Sequence, residues 1–566
     1  MPIRKIGIAS RTYRHVNRYR QILTVLFKYG FEGLVDALKI GQYIEIGWKL
    51  ISREPRAQVE SLSAAQRVRM MLEELGPTFV KLGQVLSTRP DLIPRDFVVE
   101  LSKLQQSVPP FPFEDVREIV EAELHRPLNE VFTHFEETSL AAASIGQVHR
   151  AMLLDGDAVV VKVQRPYIED SIAVDLEILL HLAILAEKHL EELRVWRPSR
   201  IVAEFQRVIE RELDYTTEAK HLERFAREFA RDDTVYVPQV YRRLSTERVL
   251  TMEHVEVIPV TDRQALLAAD VDPKVLAARG ADSTLKQIFV HGFFHADPHP
   301  GNVFALPGNV VCLLDFGMMG RVDRTGREGI ADLIYAVARR DSALAVHALL
   351  RLTTHDVEVD PDVRQLEADV AEFIDLNIPV QLGELDFGRL VHDLFDLVRQ
   401  HELAIPPDLV MMLKAAATAE QLVAELDPDL RLIEAARPYV RRLKMDRLRP
   451  RRMLRDALDT GGELLQLGRE IPGGVRDLLR LSKSGRLKIG FEHRGLDPML
   501  ESHDRIANRL SFSIVVGALI VGSSLIVVSR VPPTWHEIPV IGLVGYLAAG
   551  GLGLLLLLSI LRHGRL

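Results

Sequence analysis

The sequence predicts an α+β fold of two lobes, preceded by a helical extension and followed by a hairpin of two apolar helices. Three observations carry that prediction. Two β-rich runs joined by Asp155-Gly156 read as a β-hairpin, the mark of a small sheet-containing lobe. Beyond Gly317, apolar residues recur at helical spacing over 322–355, 362–376, 387–400, 408–425 and 430–445, as a helical second lobe requires. Residues 511–529 and 540–561 carry no charge, and at about 1.5 Å per residue each can cross about 30 Å of hydrocarbon. The expected divisions are 1–110 (helical extension), 111–256 (smaller lobe with inserted helices), 257–500 (helical lobe) and 511–561 (transmembrane hairpin).

Composition narrows the class. A hydrophobic share of 47% and a mean hydropathy of +0.05 suit a chain with a membrane segment. The net charge of −8 argues against a nucleic-acid partner. One cysteine, Cys312, excludes an intramolecular disulfide and fits a reducing, cytosolic face. The first acidic residue is Glu32, after Arg4, Lys5, Arg11, Arg14, Arg18, Arg20 and Lys28. No signal-peptide h-region follows, so this reads as a basic amphipathic helix lying on anionic lipid or on the rest of the protein.

Residues 1–60 look helical, and 64–87 form a clearer helix with Leu72, Leu75, Phe79, Leu82 and Leu86 on one stripe. Beside the stripe sits Lys81-x-Gly83-Gln84. A glycine inside a helix costs roughly 1 kcal/mol against alanine, so Gly83 predicts close approach of another backbone. Lys81 by itself reads as a solvated helix charge. Pro109-Pro110-Phe111-Pro112 marks a linker before a helix near 113–124. Lys162 follows β-branched residues on the second strand of the hairpin. Long helices are expected over 168–194 and 199–230, the second carrying Glu212, Asp214 and Glu218. Glu212 and Asp214, two apart, point in different directions on a helix. Residues 237–241 and 248–255 read as two strands and a connector.

The chemistry is concentrated in 293–317, FFHADPHPGNVFALPGNVVCLLDFG. His295-x-Asp297 is followed five residues later by Asn302, and Asp315-Phe316-Gly317 begins thirteen residues after that. That order is the layout of a protein-kinase-like catalytic loop and metal-binding loop. Phosphoryl transfer from ATP needs a carboxylate at the accepting group, and oxygen ligands for Mg²⁺. Asp297 fits the first role, and Asn302 with Asp315 the second. Lys162 would then hold the phosphates and Glu218 would position it, with Glu212 or Asp214 as alternates. A rival reading takes His295-x-Asp297-x-His299 as metal ligands of a hydrolase.

Arg505 and Arg509 before the first apolar stretch, and Arg562 and Arg565 after the second, put both flanks in the cytoplasm, although Arg530 lies in the loop between. The expected location is the cell inner membrane, multi-pass, with the lobes on the cytoplasmic side. Small residues recur every four positions at Gly545, Ala549 and Gly553 and at Ala518 and Gly522, so the hairpin could pack on itself or form a homodimer. From Arg437 to Arg455 nine positive residues face a single Asp446, either a solvated face or a surface near anionic lipid.

Taken together, Lys81-x-Gly83-Gln84, Ala141-Ala142-Ala143-Ser144-Ile145-Gly146-Gln147-Val148-His149, Val161-Lys162-Val163-Gln164-Arg165-Pro166, Glu212-x-Asp214, the His295–Asn302 run and Asp315-Phe316-Gly317 resemble the UbiB family of atypical kinase-like proteins. The resemblance is strong over about 64–320, and by architecture at the C-terminal hairpin. It implies that the turn Ala141–Ser144, with Gln147, replaces the glycine-rich loop over ATP, and that Glu253 lies at the hinge reading adenine. It also implies that the Lys81 helix folds across the protein-substrate approach, with Lys81 and Gln84 near Glu212 and Asp214 as a regulatory lid. The expected function is a membrane-anchored, Mg²⁺-dependent atypical kinase or ATPase supporting ubiquinone or other isoprenoid-lipid synthesis. Its expected partners are quinone precursors or quinone-biosynthesis enzymes. The alternatives are a serine/threonine kinase acting in trans and a nucleotide-binding scaffold. Three positions depart from the family pattern: Tyr167 and Val257 stand where glycine is usual, and His221 where asparagine is.

Overall fold

The computed structural model describes residues 8–38, 62–87, 89, 92–104, 109–190, 197–354, 362–377, 387–447, 450, 497–529, 532–535 and 538–563. Expectations for the basic residues Arg4 and Lys5, for 39–60, for Arg449, Arg451, Arg452 and Arg455, and for Arg530 and Arg565 lie outside these. Two compact units divide at Leu454 and Arg455.

In the first unit, a five-stranded antiparallel sheet forms the smaller lobe. Its strands run in the order Phe132–Phe135, Gly146–Leu153, Ala158–Gln164 and Val249–Glu253, with Ala141–Ala142 pairing on Gly146–Leu153. The central hairpin turns at Gly156, whose φ of 95° favours glycine. Its inward residues Val159, Val161 and Val163 are fully buried with Val116, Val120 and Phe132. A second sheet, ordered Val235–Tyr236, Val310–Leu313, Val303–Leu306 and Ile258–Pro259, lies at the start of the helical lobe.

Three expected long helices are each two helices. The 64–87 stretch breaks at Gly76, where φ is 95°, and Pro77 begins the second helix without the N–H it would need to continue the first. Ser63 starts the first with a reciprocal capping box on Gln66. The 199–230 stretch breaks at Asp214, which ends Pro198–Leu213 and caps Tyr215–Glu228 by accepting the Thr216 N–H at 2.9 Å. The 322–355 stretch likewise breaks between Arg324–Ala338 and Ser342–Leu352, with Arg340 at positive φ.

The basic first helix, Ile8–Lys28, lies on the protein. Arg18 grips Asp175 through two N–H···O bonds of 2.6 and 3.0 Å and donates to the Leu75 carbonyl, and Lys28 pairs with Glu74 at 2.8 Å. In the helical lobe, Pro407–Leu426 buries Met412, Ala415, Ala416 and Ala419 against Pro273–Leu285. A cavity of about 200 Å³, lined by apolar residues such as Ile330, Leu349, Ile374, Leu394 and Met412, lies among these helices. Part of the basic run is also paired internally, since Arg447 bridges Glu328 and Asp332.

The second unit holds helices Asp497–Val528 and Val540–His563, packed antiparallel. A Cβ on Gly545 would lie 2.1 Å from Ser523 Oγ, and one on Gly542 would lie 2.6 Å from Val527, so the close approach needs glycine. Gly522 has open space around it, which takes it out of this contact. Among the described residues one segment, Leu510–Val528, is long and apolar enough to cross a membrane; the described apolar part of the second helix, Val540–Leu555, is shorter. Leu525, Val528, Leu547 and Leu554 are exposed on these helices.

Candidate active site

Lys162 stands in the middle of the sheet, opposite Val148 on one neighbour and Leu250 on the other. Its ammonium donates to Glu218 Oε2 at 2.8 Å and lies 5.2 Å from the centre of the Tyr215 ring. Glu218 reaches it because the chain breaks at Asp214 and restarts as Tyr215–Glu228. One turn on, His221 donates from Nδ1 to the Phe316 carbonyl at 2.9 Å, and burial holds that imidazole neutral by lowering its pKa. The same helix thus fixes the strand lysine and the Asp315-Phe316-Gly317 turn. Phe316 itself is fully buried, edge-on to Phe225.

Asn302 and Asp315 sit at the open end of one hairpin, because Val303 pairs with Leu313 in its register. Asp315 Oδ1 accepts the Gly317 N–H at 2.8 Å. Burial would raise its pKa, but the Lys162 charge and that hydrogen bond outweigh it, and the carboxyl falls to about 2, with smaller help from Lys81. Burial lowers and the charges of Glu218 and Asp315 raise the Lys162 pKa, and the carboxylates win, so the lysine stays an ammonium.

His295 is a strut. Its Nε2 hydrogen-bonds the Asp315 carbonyl and its Nδ1 accepts the Asp297 N–H at 3.2 Å. Both ring nitrogens are committed, which removes His295 from any metal-ligand set and overturns the hydrolase reading. Among the described residues no cluster of three His, Cys, Asp or Glu could hold a metal. Asn302 donates its amide N–H to the Asp297 carbonyl at 3.2 Å, which turns its amide oxygen outward as an acceptor.

Lys81 is 7% exposed and forms an ion pair with Glu212 Oε1. This corrects its reading as a solvated charge. Asp214 serves as a helix cap, and Gln84 donates to the Leu104 carbonyl at 3.4 Å. Only Glu212 of the acidic pair therefore meets Lys81 directly. Gly83 packs against leucine side chains and not another backbone: its Cβ would lie 2.3 Å from Leu104 and 2.8 Å from Leu72.

The alanine-rich turn is small and tied down. Ala141 and Ala142 pair with Val148 and Gln147, the Ala143 N–H donates to the Gly146 carbonyl at 2.8 Å, and Ser144 is buried. Gln147 is 1% exposed, and its amide exchanges hydrogen bonds with the Phe111 backbone at 2.9 and 3.2 Å. It pins the proline-rich linker to the sheet, which leaves it no polar group to offer a nucleotide. Glu253 braces the connector by accepting from the Tyr236 hydroxyl at 2.7 Å and the Gln239 N–H at 3.1 Å. Its side chain is occupied, so a hinge role would fall to its main chain.

No motif or spacing marks Lys414. Its ammonium lies 3.3 Å from Asp297 Oδ1, across 117 positions, from the first half of the helix Pro407–Leu426. Tyr215 beneath Lys162 was also unmarked.

The donor set suits Mg²⁺, a hard cation that takes oxygen ligands. Asp315 is ionised, Asn302 offers an amide oxygen beside it, and among the described residues Glu218 Oε1, Glu212 Oε2 and Tyr215 Oη are buried without hydrogen-bond partners. Native structures seldom leave such atoms unsatisfied, so a polar occupant is expected here.

Three family models match the chain: an ABC1 atypical kinase-like domain over residues 103–349, a UbiB helical domain over 370–431, and an ABC1/UbiB kinase-like C-terminal domain over 494–562. An uncharacterised protein from the hydrogenase 1 5′ region of Clostridium pasteurianum is 31% identical over 97% of this chain and 100% of its own. A probable protein kinase UbiB of Pseudomonas putida (strain W619) is 32% identical over 91% of this chain and 94% of its own. Among solved structures, the complex of Rv3197 with erythromycin from Mycobacterium tuberculosis aligns at a TM-score of 0.45 and 23% identity, covering 64% of this chain and 92% of that one.

Proposed function

The chain belongs to the UbiB family of atypical kinase-like proteins, and from that premise we propose that it is a membrane-anchored, Mg²⁺-dependent ATPase or small-molecule kinase. The observation that carries this reading is the convergence of the Lys162–Glu218 pair with Asp315, beside the loop that bears Asp297 and Asn302. Lys162 takes the ATP phosphates. Asn302 and Asp315 would hold Mg²⁺, which when bound supplies neutralising charge on those phosphates. Asp297 orients the accepting hydroxyl or water and receives its proton.

Lys81, ion-paired to Glu212, supports the second half of the reading. A helix held over the approach leaves no room for a peptide and favours water or a small acceptor. Exposed apolar helices in the second unit support anchoring in the inner membrane as a two-span hairpin, with the lobes in the cytoplasm near anionic lipid. The exposed Ala518 and the open face at Gly522 would suit a second copy. The name of the Pseudomonas relatives points to ubiquinone synthesis, so a quinone precursor or an enzyme of that synthesis is the partner we assign.

The test is release of phosphate from MgATP by the full chain in anionic-lipid vesicles, with and without small phenols. Lipid- and phenol-stimulated release supports the reading. Transfer of labelled phosphate to a protein in trans would replace it with a protein kinase, and nucleotide binding with neither output would leave a scaffold.

A further inference from the structure

Asp297 and the transferred phosphoryl group present an electrostatic conflict. Both are anionic, and a carboxylate close enough to meet the accepting hydroxyl also lies close to the γ-phosphate. Lys162 serves the phosphates from the other side but does not contact Asp297, since its ammonium is paired with Glu218 beside the Asp315 charge. Two groups face the Asp297 carboxylate. Lys414 Nζ lies 3.3 Å from Oδ1, and His299 Nε2 lies 3.9 Å from Oδ2. His299 Nδ1 accepts the Gly301 N–H at 2.9 Å, so its Nε2 carries a proton and points at Asp297 as a neutral donor. Lys414 is therefore the ammonium of this half of the site.

We propose that Lys414 is the charge-balancing positioning residue of the reaction: it holds the Asp297 carboxylate in place and offsets its repulsion of the γ-phosphate. The inference rests on the phosphoryl-transfer reading above. Its placement is rigid at the backbone, since Met412, Ala415 and Ala416 on either side are buried in the helical core. Its side chain is 25% exposed, and an ammonium has three N–H donors, so the bond to Asp297 leaves others for a polyphosphate. In the step itself, the acceptor oxygen bonds to Pγ as the bond from Pγ to the ADP oxygen breaks. The acceptor proton passes to Asp297, and Lys414 stays protonated throughout.

The experiment compares wild type with Lys414→Met, Lys414→Arg and the double variant Lys414→Met/Asp297→Asn in the full chain. It measures MgATP and MgADP affinity with a fluorescent nucleotide competitor, phosphate release, and thermal melting. Lys414→Met should lower kcat by about 100-fold and weaken MgATP about 10-fold relative to MgADP. Lys414→Arg should keep most of both. Adding Asp297→Asn should restore MgATP affinity without restoring turnover, since the unbalanced charge is gone. Wild-type ATP-to-ADP selectivity and kcat in Lys414→Met would overturn the proposal while leaving the functional reading intact. So would an Arg variant as impaired as the Met variant with unchanged melting. Absence of MgATP binding by wild type would overturn both.

Discussion

Two lysine–glutamate pairs hang from the same two-helix corner, and they do different things. Lys162–Glu218 is anchored on a sheet strand and flanked by Asp315, with the glutamate buried and the lysine partly so. Lys81–Glu212 joins a helix of the N-terminal extension to the helix just before the Asp214 break. In the proposed reading the first pair serves the phosphates and the second holds the Lys81 helix at that corner. The comparison teaches that one residue, Asp214, sorts the two glutamates. By ending one helix and capping the next it sends Glu212 and Glu218 to different lysines, which a continuous helix over 199–230 would not do.

The largest effects should come from breaking the inner site. Asp315→Asn and Lys162→Ala should each reduce MgATP hydrolysis by more than 100-fold in lipid vesicles while the fold, followed by circular dichroism, is kept. Full activity in Asp315→Asn would end the phosphoryl-transfer assignment. Breaking the outer pair should act in the other sense. Lys81→Ala should raise or redirect phosphate release several-fold, and leaving Glu212 partly buried without its cation should cost about 1–3 kcal/mol in a denaturant melt. Gly83→Ala tests the seat of the same helix: its new Cβ meets Leu104 and Leu72, and the overpacking should cost about 1–3 kcal/mol.

Acid titration separates the pairs as well. Because the folded Asp315 pKa is depressed to about 2, its contribution to stability is present above about pH 4 and is lost as pH falls through 2. The stability gap between wild type and Asp315→Asn should be flat from pH 7 to about pH 4 and narrow below it. The smallest effect is expected at an exposed helix cap, Tyr167. Tyr167 has a φ of 57°, a left-handed conformation that favours glycine, and is 81% exposed. Tyr167→Gly should raise stability by about 0.5–1 kcal/mol without touching activity; a lower melting temperature would contradict that account.

How legible was all this beforehand? Motif spacing placed Asn302 and Asp315 together because the hairpin between them leaves little freedom, and alternation placed Lys162 on its strand. Glu218 was the leading partner for Lys162, but the Asp214 break that delivers it was not foreseen, since capping competes with helix continuation in ways a periodic pattern does not record. Gln147 reads from the resemblance as a nucleotide contact, but its carboxamide is consumed by the Phe111 backbone, a tertiary fact; the Glu253 carboxylate is likewise occupied, which leaves its main chain for a hinge. Lys414 was invisible for the same reason. A lysine on a helix that also carries Asp408, Glu420 and Glu425 has no marker of the aspartate it will meet 117 residues away. Tyr167 and His221 were visible as departures, and the backbone conformation of one and the Phe316 hydrogen bond of the other supply their physical meaning.

In the proposed mechanism the inner pair does chemistry and the outer pair restrains it. The most direct test is one phosphate-release assay on wild type, Lys162→Ala and Lys81→Ala, with MgATP in anionic-lipid vesicles. The account predicts loss in Lys162→Ala and equal or greater release in Lys81→Ala. Equal loss in both variants, with both still folded, would contradict it.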